Sequence, residues 1–439
     1  MQSELDPDLE TDFPETRKRV LVLAEVANPE WVSVPLIGWS LSQALAQVAD
    51  VHLVTQIRNR DACIRAGLVE GKDFTAIDTE AMARPIWKIA DKLGLGKKGG
   101  WSLLIALQAL SYPLFERKVW RKFGKEIKRG QFDIVHRITP VSPTIDSPIA
   151  RKCRQAGAPF ILGPINGALA WPKGFPDHQR RERDRAKALR GIARWVQGTP
   201  SMVTNAAFVL CGARSVQAEL PDDIRSIIIP ENGIEPDRFT RRAVQPGTLP
   251  LRGCFIGRLS AIKGIDLLLK AAAPLLRDGR LHLDILGDGP ERDFLEALTN
   301  ELGIGDGVTF HGWIAHEQVQ DIAVKSHLLT FPSLRDFGGG AVLEGMALGL
   351  VPIVLDYGGP AELVDDTIGF RIPMGTQDQV IDGLNSVLTA LADDPSDLPR
   401  LSENALEKIR TTFLWSAKAK QIAAIYDTVL NYDEEPLDD

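Results

Sequence analysis

Residues 334–349, LRDFGGGAVLEGMALG, decide how the rest of the chain is read. Gly338, Gly339 and Gly340 stand between a carboxylate at Asp336 and a second at Glu344. The run HLLTFPS before them has the pattern of a buried strand, AVLEGMAL after them that of a short helix, and LVPIVL that of another buried strand. Glycines between a strand and a helix leave backbone N–H groups bare at the positive end of the helix, which suits an anion. On one continuous helix the two acids would lie roughly 12 Å and about 80° apart. That is too far for an acid–base pair, and suits instead the two ends of one long anionic ligand.

Strand and helix patterns alternate on both sides of this stretch. LRGCFIGRLSAIKGIDLLLK gives a strand, a loop with Arg258 and Lys263, then a helix. Two cations among glycines at a helix N-terminus suit a diphosphate, Arg offering a bidentate contact and Lys a point charge. LHLDILGDGPERDFLEAL repeats the order, with Gly287 and Gly289 at the turn. It keeps two of the three glycines of a dinucleotide fingerprint, so alone it says little. VTFHGWIAHEQVQDIAVKS adds a short strand, a Gly312-Trp313 turn and a helix. Such alternation predicts a parallel sheet with helices on its faces.

The first half opens the same way. RVLVLAE is a strand apolar throughout, as parallel strands are. A loop at residues 28–38, a helix through SLSQALAQVA and a strand at DVHLVTQ follow. FDIVHRI is a strand carrying His136, and GPINGALAWPKGF a Gly/Pro-rich loop carrying Asn166 and Trp171, suited to sugar stacking or close backbone approach. WSLLIALQALSYPLFERKVWRKFGKEIKR begins apolar and ends basic, with Arg117, Lys118, Arg121, Lys122, Lys125, Lys128 and Arg129 close together. Two readings stay open for it: a helix lying on an anionic membrane surface, and a core helix whose cations are solvated. Residues 180–194 are basic again, but no nucleic-acid recognition motif accompanies them, so nucleic acid is not an expected partner.

A chain of 439 residues exceeds what one core usually supports. Residues 20–240 carry 31 Lys and Arg against 22 Asp and Glu, and residues 241–439 carry 17 against 30, so the halves have opposite sign. The boundary is expected in the turn-rich RAVQPGTLP, giving domains at 17–245 and 246–400, with a C-terminal helix over 405–432. The acidic residues 1–16 and the tail YDEEPLDD read as loose ends. Four scattered cysteines without C-x-x-C spacing fit a reducing compartment and argue against structural zinc. Seven histidines form no metal-binding cluster, and neither a secretory signal nor an apolar run of about 18 residues is visible. A cytoplasmic protein, at most peripheral on the inner face of the membrane, is expected.

NGIEPDRF, GRLSAIKG, LGDGPE, FHGWIAHEQV, FPSLRDFGGGAVLEGMALGLVPIV and GGPAELV occur in one order between residues 231 and 373. Together they resemble a retaining glycosyltransferase of family 4, with more distant support from GPINGALAWPKGF and FDIVHRI. The resemblance implies an α/β protein of GT-B fold, two facing Rossmann-like doubly wound domains with a cleft between them. The first domain would take the acceptor and the second a nucleotide-diphosphate sugar, with the last helix packing back onto the first domain. It further implies that Arg258 and Lys263 hold the donor diphosphate, and that Glu344 binds the ribose. Gly338, Gly339 and Gly340 would lie against the phosphates, with Gly257, Gly287, Gly312 and Trp313 lining the donor site. Asp336 stands where the family commonly has a Glu near the transferred sugar, one methylene shorter. The family histidine falls at Ile138, leaving His136 as the catalytic candidate, and Asn166 and Trp171 are candidates on the acceptor side. No cofactor and no metal are expected, since cations and a helix dipole can serve the leaving group. The implied reaction is hexose transfer to a saccharide, lipid-linked in surface polysaccharide synthesis. A soluble sugar-phosphate acceptor and a nucleotide-sugar-binding protein of impaired turnover stay open beside it.

Overall fold

The computed structural model describes residues 17–80, 100–167, 169–182, 200–245 and 250–431, with backbone only for 100–110 and 316–317. Several expectations lie outside them: the acidic residues 1–16, the apolar side chains of 101–110, the basic residues 183–194, part of the turn-rich 242–250, and the tail from 432.

Seven parallel strands form the first sheet: β1 (Arg19–Ala24), β2 (Asp50–Gln56), β3 (Phe74–Ile77), β4 (Ile134–Thr139), β5 (Phe160–Ile165), β6 (Phe208–Cys211) and β7 (Ser226–Ile228), in the order β3-β2-β1-β4-β5-β6-β7. The second sheet holds β8 (Leu251–Ile256), β9 (Leu281–Leu286), β10 (Val308–Gly312), β11 (Leu328–Phe331), β12 (Val351–Leu355) and β13 (Phe370–Ile372), again all parallel, ordered β10-β9-β8-β11-β12-β13. Both sheets therefore reverse direction once, between β1 and β4 and between β8 and β11. At such a switch point neighbouring loops part and leave a crevice beyond the carboxyl ends of the strands. The strands are apolar because helices cover both faces: Val20 to Ala24 and Val351 to Leu355 are all wholly buried.

The helices that position the site are α1 (Val34–Val48), α2 (Gly100–Lys128), α3 (Pro176–Arg181), α4 (Ile265–Arg277), α5 (Gly340–Ala347), α6 (Leu398–Lys408) and α7 (Trp415–Asn431). Pro35, whose fixed φ suits a first helical turn, starts α1 inside the stretch 28–38 that reads as loop. In α2 the residues Tyr112, Phe115, Val119, Phe123 and Ile127 recur every three or four positions and are buried against the first sheet. The cations Arg117, Arg121, Lys122, Lys125, Lys128 and Arg129 of the same stretch are exposed. Among the described residues no helix is long and apolar enough to cross a membrane.

The C-terminal helix expected over 405–432 is two helices. α6 packs on the second domain through Leu398, Leu401 and Ala405, and a π turn at Ile409–Phe413 follows. The chain then straightens at Leu414, where Ile234 N–H donates to Phe413 O (2.8 Å) and Trp415 N–H to Ile234 O (3.2 Å). α7 lies on the first domain, burying Trp415, Ile422, Ile425, Tyr426 and Val429 with Val20, Val22 and Leu41. The periodicity is continuous through the break, but these two backbone bonds to Ile234 replace the helical ones at the crossing.

Candidate active site

The second sheet supplies a floor made of backbone. Gly257, Gly287 and Gly312 stand at the ends of β8, β9 and β10, with Gly287 N–H donating to Gly312 O (2.9 Å) and Gly257 N–H to Leu286 O (3.0 Å). A Cβ on Gly287 would lie 1.9 Å from Gly257 O, and its φ of +145° is outside the range of other residues. Only glycine permits this approach. Arg258, next along, is exposed, and so is Trp313, at 78%. Lys263 closes a short 3-10 turn (Ala261–Lys263), and Gly264, at φ +64°, lets that turn sit against Pro332 O. The turn after β8 is thereby laid beside the glycine loop after β11, across the switch point.

In that loop Asp336 is turned inward. Its Oδ1 accepts the Gly339 N–H (3.0 Å) and its Oδ2 pairs with Lys263 Nζ, both side chains being 18% exposed. Burial works to raise the Asp336 carboxyl, but Lys263 and the glycine amides outweigh it and hold it below the usual carboxylate range. Lys263 Nζ also lies 4.8 Å from the Phe331 ring centroid. One carboxylate thus occupies a cation and a helix-terminal amide together, which is what a phosphate oxygen would do. The glycine loop is not bare, as its sequence suggests, because Asp336 caps it. Glu344 is half-buried, four residues into α5.

The first domain faces this loop with side chains. Gly338 packs so closely on Glu231 and Asn232 that a Cβ there would lie 2.1 Å from Glu231 Oε1. Glu231 follows β7, is 5% exposed, and accepts from Asn166 Nδ2 (2.5 Å), while its Oε2 has no partner and lies against Gly212. Burial pushes the Glu231 carboxyl up to about 7, against Asn166 and Lys418. Lys418 reaches this junction from α7, donates to Pro230 O (2.6 Å), and is pushed down to about 7 by its own burial. Sequence reading passed over Glu231; the signal was an acid directly after the apolar run SIIIP, at the carboxyl end of a strand.

The other candidates of the first domain are engaged within the protein. His136 is wholly buried in β4, so its proposed catalytic part is corrected. Its Nε2 lies 2.7 Å from Gly163 O and must donate, which leaves Nδ1 to accept from the Tyr426 hydroxyl at 2.6 Å. It ties α7 to the first sheet. Asn166, 6% exposed, is occupied by Glu231 and by the Gly167 N–H. Trp171 is half-buried and gives its indole N–H to Phe175 O (3.1 Å), inside its own loop. That loop lies over the second domain: Leu169 O accepts from Arg335 Nε and Ala170 O from the Tyr357 hydroxyl, each at 2.8 Å.

Comparison with known proteins bears on the fold and on the second domain. Residues 245–408 match the family model "Glycosyl transferases group 1". The chain is 33% identical over 174 residues to the alpha-D-kanosaminyltransferase of Streptomyces kanamyceticus, covering 39% of this chain and 44% of that one. Over 322 residues it is 26% identical to the MMP alpha-(1->4)-mannosyltransferase of Mycolicibacterium hassiacum, covering 69% and 72%. The first of these matches spans less than half of the relative's length. Among solved structures, sucrose-phosphate synthase from Thermosynechococcus elongatus superposes with TM-score 0.59 at 16% identity, covering 95% of this chain and all of that one. The lipopolysaccharide outer core galactosyltransferase WaaB superposes with TM-score 0.61 at 15% identity, covering 93% and 99%. Residues 245–408 thus resemble the group 1 glycosyltransferases, and the two parallel sheets joined by the crossing helix have the GT-B fold.

Proposed function

We propose that the chain is a retaining glycosyltransferase that moves a hexose from a nucleotide-diphosphate sugar to a saccharide acceptor. The observation that carries this reading is the convergence of Lys263, the loop of Arg258 and the amides at Gly338–Gly340 on one switch point, where a carboxylate already sits. In glycosyl transfer the anomeric carbon gains positive charge and the departing diphosphate negative charge. Preorganised cations and amides at the departing group lower that barrier most. Lys263 would exchange Asp336 for a phosphate oxygen, and Arg258, exposed beside it, would close on the other phosphate. Glu344 would hold the ribose. The departing phosphate would take the acceptor's proton on the same face, so no strong side-chain base is required. Because these groups supply positive charge, turnover would need no divalent metal.

The acceptor we propose is lipid-linked and met at the cytoplasmic face of the membrane, in surface polysaccharide synthesis. The exposed cations from Arg117 to Arg129 support it, since they would face anionic headgroups. A soluble sugar-phosphate acceptor is the second reading. Transfer from UDP-, GDP- and ADP-sugars to an isolated membrane fraction, with and without EDTA, tests the first reading. Transfer into lipid extract that persists in chelator supports it. Transfer to water-soluble saccharides alone moves the acceptor to the second reading, complete loss with EDTA removes the metal-free mechanism, and no transfer or hydrolysis with any donor removes the enzyme.

A further inference from the structure

Residues 169–182 belong to the first domain by sequence, lying between β5 and β6, yet they are built into the second. Phe175 is wholly buried in the second domain's core. Around it the segment crosses the carboxyl ends of that sheet and touches the turn after five of its six strands. Glu182 accepts from Ile262 N–H (3.2 Å) after β8, one residue before Lys263. Arg181 spans Asp266 (2.8 Å) at the start of α4 and Glu291 (2.5 Å) after β9, its guanidinium 4.6 Å from the Phe294 ring centroid. His178, 1% exposed, meets Asp266 at 3.0 Å. Burial alone would raise the Asp266 carboxyl; His178 and Arg181 hold it below the usual range. Leu169 O takes Arg335 Nε after β11, one residue before Asp336, and Ala170 O takes the Tyr357 hydroxyl after β12. After β13, Gly174 packs so tightly on Gly375 that a Cβ would lie 2.4 Å from its carbonyl oxygen.

We propose that residues 169–182 form a strap that moves as part of the second domain and positions the two turns bearing Lys263 and Asp336. Domains joined by modest interfaces are expected to move relative to one another. In this chain the moving boundary would run between the strap and the first sheet, near Gly167, whose φ is +148°. Trp171 would then stay fixed to the anion-binding loops in every state of the cleft. His178, Arg181 and Glu182 are positioning residues in this account, acting through Asp266 and Ile262. The functional weight of the inference rests on the proposed transfer reaction, but its mechanical content does not.

Pairs of nitroxide labels test it, since the native cysteines are buried. One pair joins strap to second domain (Lys173→Cys with Lys270→Cys), the other strap to first domain (Lys173→Cys with Arg151→Cys), all at exposed positions. Distances are read by pulsed dipolar spectroscopy in the unliganded protein, then with UDP or GDP. The expected result is a narrow, unchanged strap-to-second-domain distance beside a broader or shifting strap-to-first-domain one. The reverse pattern, motion in both pairs, or two fixed distances would each overturn the proposal. Arg181→Gln should broaden the first distribution about twofold, and no broadening would remove Arg181 from the account. No catalysis enters these readings, so an inactive donor panel and a mobile strap are separate failures.

Discussion

The two walls of the cleft are made of different material. On the second domain, strand ends meet as backbone: Gly257, Gly287 and Gly312 touch main chain to main chain, and a capped glycine loop completes the surface. On the first domain, strand ends meet as side chains: Asn166 after β5 and Glu231 after β7 hold one another in a nearly dry pocket, with Lys418 brought in from α7. A backbone wall has fixed dipoles and no rotamers, so its shape is held by the chain itself. A side-chain wall can be rewritten residue by residue. Under the proposed reaction, the donor would meet the first kind of wall and the acceptor the second.

Four measurements would break or sharpen that contrast. The largest effect belongs to the cations. Lys263→Ala and Arg258→Ala should each lower turnover at least about a hundredfold, the scale of losing one preorganised charge contact. Activity within threefold of the parent chain would mean that these two side chains do not carry the leaving group. Gly287→Ala comes next: its Cβ would collide with Gly257 O at 1.9 Å in a backbone region closed to alanine. A stability loss of about 3 kcal/mol or more in urea unfolding is expected, and a loss below 1 kcal/mol would show that the floor yields.

His136 probes the core of the first domain, behind its wall, through pH. Burial pushes its imidazole down to about 4, while Gly163 O works the other way, and the unfolded value is near 6.5. Between these values the unfolded chain binds more protons than the folded one, so stability falls as pH drops from 6.5 toward 4, by up to about 3 kcal/mol. His136→Gln should flatten that part of the profile; parallel profiles for the two chains would assign the acid loss to other groups. The smallest effect concerns Asp336→Asn. Removing the charge that Lys263 now faces should tighten UDP binding about threefold to tenfold by calorimetry, the range of a partly screened ion pair. Weaker binding would show that Asp336 assists the nucleotide rather than standing in for it.

The same contrast explains what could be read from the sequence. Lys263, Asp336 and the triple glycine are legible because each turn is local and its glycines are dictated by sterics. The alternation of apolar runs and glycine turns likewise gives two parallel sheets. Glu231 is not legible, because its partner Asn166 is 65 residues away and an acid after a strand is an ordinary surface residue until that partner arrives. His136 misled for the same reason: the Tyr426 hydroxyl that claims it lies 290 residues on. The break at Leu414 follows from two backbone bonds to Ile234, and periodicity carries no trace of them. Asp336 is the instructive middle case, found by motif but facing inward, since only the fold shows which cation is nearest.

The strap also bears on how such proteins could be recombined. Grafting a foreign second domain at a junction near residue 245 would leave Phe175, Arg181 and Glu182 behind, facing a surface they were not selected to fit. A graft that respects the folding units takes residues 169–182 with the second domain and leaves α7 with the first. In this chain the exchangeable cassette is discontinuous.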